Sequence, residues 1–139
     1  MSISLTSQSI ETIRSGDALL CMIYSADELP DATTFHTPHL LPLQVGHVVR
    51  RAGEEVARHS HRVIERVIRR TAEVLVVMNG HCEMDVYDDN QVLVATRELR
   101  PGNVLVMIAG GHGFRMLEDT VLLEVKQGPY HGPDEKEPF

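Results

Sequence analysis

Four residues in this chain have the types and spacing that suit the binding of a metal ion. His59 and His61 stand two residues apart, so on a β-strand both side chains would point to the same face. Glu73 begins the next apolar run, and His112 lies in a glycine-rich stretch later in the chain. Three imidazoles and a carboxylate form a natural ligand set for a divalent metal. The sequence therefore predicts a metal site made of these four residues.

The donor atoms restrict both the metal and the chemistry. A shell of nitrogen and oxygen ligands favours Fe, Mn, Ni, Co, Cu or Zn over Ca and Mg. A redox-active ion would suit an oxygenase, and a redox-inert ion would suit an isomerase, epimerase or lyase in which a carbonyl is polarised. The sequence shows no obvious separate base, so Glu73 and Tyr130 are the candidate catalytic residues. The other histidines are not predicted to be ligands: His36, His39, His47, His81 and His131.

Many short strands separated by turns would be needed to bring these residues together. Residues 81–87 alternate apolar and polar side chains with a period of two, which is typical of a half-buried strand. Residues 9–14 predict one turn of helix, and residues 62–70 fit either a helical turn or a bent strand. With little helix, the pattern predicts an antiparallel sandwich or barrel. The predicted strands are residues 18–25, 43–51, 55–61, 72–78, 81–87, 91–99, 103–109, 110–117 and 120–127.

The first group of residues resembles one signature motif of the cupin superfamily. In order, the matching positions are Gly53, His59, His61, Glu73 and Gly80. The family motif places three or four residues between the second histidine and the glutamate, whereas this chain has eleven. Glu65 follows His61 after three residues and is the alternative carboxylate. We favour Glu73, because it opens an apolar strand and keeps the spacing to Gly80.

A second, looser match surrounds His112. It runs from Gly102 through five residues to Ile108, Ala109 and Gly110, and Ile108 stands where the motif has proline. The resemblance covers about residues 43–127 and implies an all-β cupin-type double-stranded β-helix, a jelly-roll barrel, with an N-terminal extension. Residues 1–42 would pack on the barrel as a strand and a proline-containing arm, residues 43–127 would form the barrel, and residues 128–139 would be a tail. Single-domain cupins often dimerise, so the resemblance also implies a homodimer.

Four further residues are candidates for substrate binding. Phe114 and Met116 would share a strand face with His112 and supply an apolar wall. Lys126 faces either the cavity mouth or the solvent, depending on which face of its strand is buried. Arg69 belongs to a group of seven arginines within residues 50–70, which would either recognise an anionic substrate or lie on a solvated face paired with glutamates. The solvated face is the commoner use of such charges.

The composition restricts the partners. The chain of 139 residues has a formal net charge of −7, which disfavours nucleic acid and anionic membranes. Neither a secretory signal nor a membrane span is recognisable, and Cys21 and Cys82 are expected to be reduced thiols in a cytoplasmic protein. The predicted function is a metal-dependent enzyme for a small, anionic organic molecule. The alternatives are a non-catalytic module that binds or senses a small molecule or metal, and a structural role in a larger assembly.

Overall fold

The computed structural model describes residues 9–139, so the first eight residues of the predicted N-terminal extension lie outside the described part of the chain. Ten strands and one short 3-10 helix follow one another along the described residues. The strands are β1 (Glu11–Ser15), β2 (Ala18–Ser25), β3 (Thr34–Phe35), β4 (Gly46–His47), β5 (Glu73–Asn79), β6 (Cys82–Tyr87), β7 (Leu93–Leu99), β8 (Asn103–Met107), β9 (Gly111–Met116) and β10 (Val121–Lys126). The 3-10 helix spans Pro133–Glu135 in the tail.

The strands form antiparallel sheets, which confirms the predicted all-β class. A five-stranded sheet has the order β1-β2-β8-β5-β10, and a three-stranded sheet has the order β7-β6-β9. The pair β3-β4 forms a separate two-stranded sheet. No sheet within residues 9–139 closes into a barrel. Strands β9 and β10 each have a single neighbour, and only residues 117–120 connect them, so both sheets have a free edge on the same side.

The core lies between the two larger sheets and follows from the alternation seen in the sequence. On β6, Cys82, Met84 and Val86 are fully buried, while the residues between them are partly exposed. Leu75 of β5 and Leu105 of β8 pack against them from the facing sheet. Because side chains alternate across a strand, this register fixes which residues of the neighbouring strands point inward. The inward positions of β5 and β9 include Glu73 and His112.

Four local predictions are wrong in whole or in part, for reasons of tertiary pairing. Residues 9–14, expected to include a helical turn, instead contribute β1, which pairs with β2. Of the strand predicted over residues 43–51, only Gly46–His47 is a strand. Residues 55–61 and 62–70 form neither strand nor helix, and their side chains are exposed. Residues with strong β preference form a strand only where a neighbouring strand accepts their hydrogen bonds. The 18–25, 72–78, 81–87 and later strand predictions are confirmed, with shifted ends.

Within residues 9–139, no helix has the length and apolar character needed to cross a bilayer. Both cysteines are buried and free. Burial, followed by the charge of Glu11, raises the pKa of the Cys21 thiol to about 12, so Cys21 is a weak nucleophile at neutral pH. The thiol lies 3.4 Å from the sulfur of Met107 in the core.

A pair of histidines joins the β3-β4 sheet to the outer face of the larger sheet. The Nε2 atom of His36 lies 2.9 Å from Nδ1 of His47, and both rings contact the ring of Tyr24 on β2. Only one of the two nitrogens can donate the shared proton, so the pair requires at least one neutral ring. Burial, and then the charge of His47, lowers the pKa of His36. The contact therefore favours the neutral form of His36.

Acid should weaken this contact. A base whose pKa is lowered by folding binds fewer protons in the folded state, so its contribution to stability is complete above the unfolded pKa of about 6.5 and falls as the pH drops below it. The free energy of unfolding is measured by urea denaturation at about pH 7.5 and about pH 5.5, on either side of that pKa. We expect it to fall less in His36→Asn than in the wild type when the pH is lowered. His39→Asn, at an exposed position, is the matched control. Equal pH dependence in all three proteins would contradict the assignment.

Candidate functional site

The candidate site is built around a contact between Glu73 and His112 across the two sheets. Glu73 is the first residue of β5 and faces inward, opposite Met107 of β8 and Lys126 of β10. His112 faces inward from β9, opposite Val86 of β6. The Oε2 atom of Glu73 lies 3.1 Å from Nε2 of His112. The structure thus brings together two of the four predicted ligands, from different sheets.

Glu73 is the most unusual residue of the site, because it is a carboxylate with only 7% of its surface exposed. Its interaction with the His112 imidazole lowers the pKa of Glu73 below its ordinary value of 4.5, although burial acts in the opposite direction. The charges of Lys126 and Lys136 lower it further. Despite its short distance to the imidazole, the buried Oε2 atom has no hydrogen bond of normal geometry within residues 9–139. The site therefore contains a buried, charged oxygen with unused capacity to accept a donor or bind a cation.

Phe114 and Lys126, two of the four substrate candidates, lie next to this contact, and Met116 lies farther along β9. The ring of Phe114 packs edge-on against the His112 ring, with 5.8 Å between centroids, and also packs against the core. Met116 occupies the same face of β9 farther along and is half exposed. Lys126 pairs with Glu73 in the sheet register, and its Nζ lies 3.5 Å from Oε2 of Glu124. This arrangement gives the site an apolar wall, an acid, an imidazole and the ammonium group of Lys126, which has Glu124 as its ion-pair partner.

The exposure of the β10 side chains shows which face of this strand is buried, and therefore on which face Lys126 lies. Val121, Leu123 and Val125 are each more than half exposed, whereas Leu122 packs against the core. Lys126 shares the inner face with Leu122, at the end of the strand beside Glu73. The lysine therefore lines the mouth of the space between the sheets.

The end of the tail packs on the outward face of β6 and β9, a contact that the sequence did not suggest. The ring of Phe139 packs edge-on against Tyr87, 5.0 Å between centroids, and lies so close to Gly111 that a Cβ there would be 2.9 Å from it. Lys136 adds its charge to that of Lys126 near Glu73. Tyr130, the other catalytic candidate, is 68% exposed, and its ring lies 5.7 Å from Nζ of Lys126. The composition of the tail, which is rich in proline and charge, is typical of an exposed segment and gave no signal of these contacts.

His59 and His61 lie outside this arrangement. Both are exposed, in a part of the chain without regular structure, and their rings contact each other with 5.2 Å between centroids. The Nδ1 atom of His59 lies 2.8 Å from the carbonyl oxygen of Ala57. Glu65, the alternative carboxylate, is exposed in the same segment. Within residues 9–139 no three histidine, cysteine, aspartate or glutamate residues are grouped closely enough to hold a metal ion.

The arginine group is also separate from the Glu73–His112 contact. Arg69 and Arg70 border a groove of about 330 Å³ that also involves Leu41, Pro42 and Ile108. Arg70 forms two hydrogen bonds, of 3.0 and 3.1 Å, with the carboxylate of Asp89 in the turn between β6 and β7. Arg69 is therefore placed beside an apolar groove, while Lys126 is the cation beside Glu73.

Comparisons with protein-family models, with curated proteins and with solved structures gave no significant match for this chain. The function must therefore be argued from the residues and their geometry.

Removing the imidazole should destabilise the folded protein, because Glu73 would remain buried without its nearest compensating group. We expect His112→Ala to lower the unfolding free energy by about 0.5–1.5 kcal/mol, the usual net contribution of one polar contact, since Oε2 of Glu73 has no hydrogen bond of normal geometry to lose. Combining it with Glu73→Gln should cost less than the sum of the two single changes. His131→Ala, at an exposed tail position, is the control. Additive effects in denaturation experiments would show that the two residues are not coupled.

Proposed function

We propose that this protein is a cupin-type metalloprotein that binds a divalent transition metal through Glu73 and His112, with His59 and His61 as the remaining ligands. The observation that carries the proposal is the buried Oε2 atom of Glu73, which faces the His112 imidazole without a hydrogen bond of normal geometry. A jelly-roll barrel, closed by residues that precede β5, belongs to the same proposal. The two free edges of β9 and β10 are where such additional strands would pair.

The donor set fits a transition metal in chemistry and in spacing. Ligand nitrogen and oxygen atoms lie about 2.0–2.2 Å from such an ion, so two ligands at a right angle are separated by about 3 Å. The observed distance of 3.1 Å between Nε2 of His112 and Oε2 of Glu73 agrees with this value. A neutral imidazole and a carboxylate select Fe, Mn, Ni, Co, Cu or Zn rather than Ca. The two residues are half of a ligand set of three histidines and one glutamate, and the other half depends on the position of the His59–His61 segment.

The residues around the pair support a small anionic organic molecule as the proposed substrate. Lys126 would bind a carboxylate or phosphate next to Glu73, since its ammonium lies at the mouth of the space between the sheets. Phe114 and Met116 would hold the apolar part of the molecule and exclude water. A bound transition metal would supply either Lewis-acid polarisation of a carbonyl or activation of dioxygen. Tyr130, on the tail beside Lys126, would be the proton donor or acceptor nearest the mouth.

A non-catalytic module that binds a small molecule or a metal is the alternative. The exposure of Tyr130, the candidate acid or base besides Glu73, favours it, because a general acid must hold a fixed position within hydrogen-bond reach of the reacting atom. Oxygen consumption and product analysis with a panel of small carboxylic acids distinguish the two. Turnover by the metal-loaded protein would support an enzyme, and saturable binding of the same acids without turnover would support the module.

Metal analysis tests the ligand assignment directly. We expect the protein purified without added metal to contain about one transition-metal ion per chain, measured by inductively coupled plasma mass spectrometry. Glu73→Gln should lose most of this metal, because the substitution removes the anionic ligand while keeping the shape of the side chain. Glu65→Gln makes the same chemical change at the exposed alternative position and should retain the metal.

The opposite result, retention in Glu73→Gln and loss in Glu65→Gln, would make Glu65 the carboxylate ligand. A wild-type protein that neither contains nor takes up Zn²⁺, Mn²⁺, Fe²⁺, Co²⁺, Ni²⁺ or Cu²⁺ would refute the metal site.

A further inference from the structure

The segment of residues 55–70, here called the basic segment, has the properties of a strand without a partner. It lies between two anchored ends, and no backbone–backbone hydrogen bond joins it to the rest of residues 9–139. Its apolar side chains are mostly β-branched and face solvent, with exposures of 57% for Val56, 104% for Val63, 59% for Ile64 and 81% for Val67. Unpaired backbone and exposed β-branched side chains together are typical of a segment that pairs with another sheet.

Both ends of the basic segment are bound to its own chain. Before it, a side-chain nitrogen of Arg51 donates to the carbonyl of Asp31, and Arg50 donates to the hydroxyl of Thr33. At its end, Arg70 is paired with Asp89. The residues between these anchors are exposed, and Val67, Ile68 and Arg69 border the groove beside residues 40–43 rather than the free edge of β9. The basic segment is thus exposed on the surface of its own chain.

The free edge of β9 is the matching surface. Strand β9 pairs only with β6, so the backbone groups along its other edge have no strand partner within residues 9–139. Its inward side chains are His112, Phe114 and Met116. A strand added there would place alternate residues on the same inner face, about 4.8 Å from β9. With the two histidines of the basic segment facing inward, His59 and His61 would join His112 and Glu73.

Charge favours the same pairing. The basic segment contains five arginines and two glutamates, so its formal charge is +3, and the rest of the chain, with a total of −7, carries −10. A basic strand and an acidic body attract each other. In a pair of chains, each copy supplies a basic segment to its partner and an acidic body that receives the segment of its partner. Two copies related by a two-fold axis can therefore exchange the segment reciprocally.

The length of the connection between the histidine pair and β5 also suits exchange of the segment between two copies. Eleven residues separate His61 from Glu73, and an extended chain of this length spans roughly 35–40 Å. That distance is enough to reach the body of a neighbouring copy while β5 stays in its own sheet.

We infer that the basic segment of one copy adds to the free edge of β9 in a second copy, so that His59 and His61 complete the Glu73–His112 site of the partner. The metal part of this inference rests on the proposed function, whereas the exchange of the strand does not. The site would then be formed only in the dimer, and the protein would be an obligate pair with two shared sites.

Complementation between two inactive variants tests the shared site. His59→Ala/His61→Ala removes the donors of the segment, and Glu73→Gln/His112→Ala removes those of the body. The two full-length chains, with different affinity tags, are co-expressed and the mixed pair is isolated by both tags. If the site is shared, the mixed pair should contain about one Zn²⁺ per two chains, half the wild-type content, while each variant alone should contain almost none. A mixed pair without Zn²⁺, beside a wild type that binds it, would overturn the inference.

Disulfide trapping tests the exchange without metal. Ser60→Cys lies between the two histidines, and Gly113→Cys lies on β9, where an added Cβ meets no atom within 4 Å. Chains carrying one substitution each should form a disulfide-linked dimer after mild oxidation, and Ser60→Cys with Val94→Cys, on the opposite edge strand β7, should not. The native cysteines are buried and do not compete.

The outcomes separate the two ideas. Cross-linking between chains in a protein that binds no metal would support the exchange and refute the metal site. A disulfide formed within one chain by Ser60→Cys/Gly113→Cys, or a wild type that is monomeric by light scattering, would refute the exchange and leave the metal site standing.

Discussion

Glu73 is a carboxylate buried between two sheets, and the free-energy cost of burying its charge must be offset by nearby groups. Its place on β5 follows from the register with β8 and β10, which also buries Leu75 and Val77 on the same face. Moving the strand by one residue would turn Glu73 outward and those two apolar side chains with it. The carboxylate is therefore held inside by the same alternation that builds the core, and the His112 imidazole at 3.1 Å compensates part of the cost of its burial.

This constraint connects the two sheets. His112 can meet Glu73 only because β9 pairs with β6 in a register that places His112 beside Val86 and Phe114 beside Met84. Apolar contacts of Met84 and Val86 fix the spacing of the sheets, and the polar contact lies at the end of that apolar core. The positions of Glu73 and His112 are thus fixed by the pairing of their strands. Residues 55–61, which carry the other two predicted ligands, pair with no strand within residues 9–139 and lie outside this contact.

The sequence was a good guide wherever a strand pairs within the chain. Alternation over residues 81–87 predicted β6 and its buried side chains, and Glu73 with His112 was predicted from residue type and position. Residues 55–70 contain several β-branched side chains with the same local preference for a strand, yet they form none. Residues 11–15 show the reverse, because a segment with a helical pattern became β1 when β2 offered an edge. Local pattern defines what a segment prefers, and the availability of an edge decides whether it forms a strand.

The interval of eleven residues between His61 and Glu73 determines which strands the histidine pair can reach. A short connection would force the histidine pair to stay beside the glutamate of its own chain, and the ligand set would then be local. Eleven residues remove that restriction, and the arginines and β-branched residues among them make the segment both basic and ready to pair. With the proposed metal site, a connection of this length would allow the four proposed ligands to be divided between two chains, so that binding of a metal and assembly of the dimer would become one equilibrium.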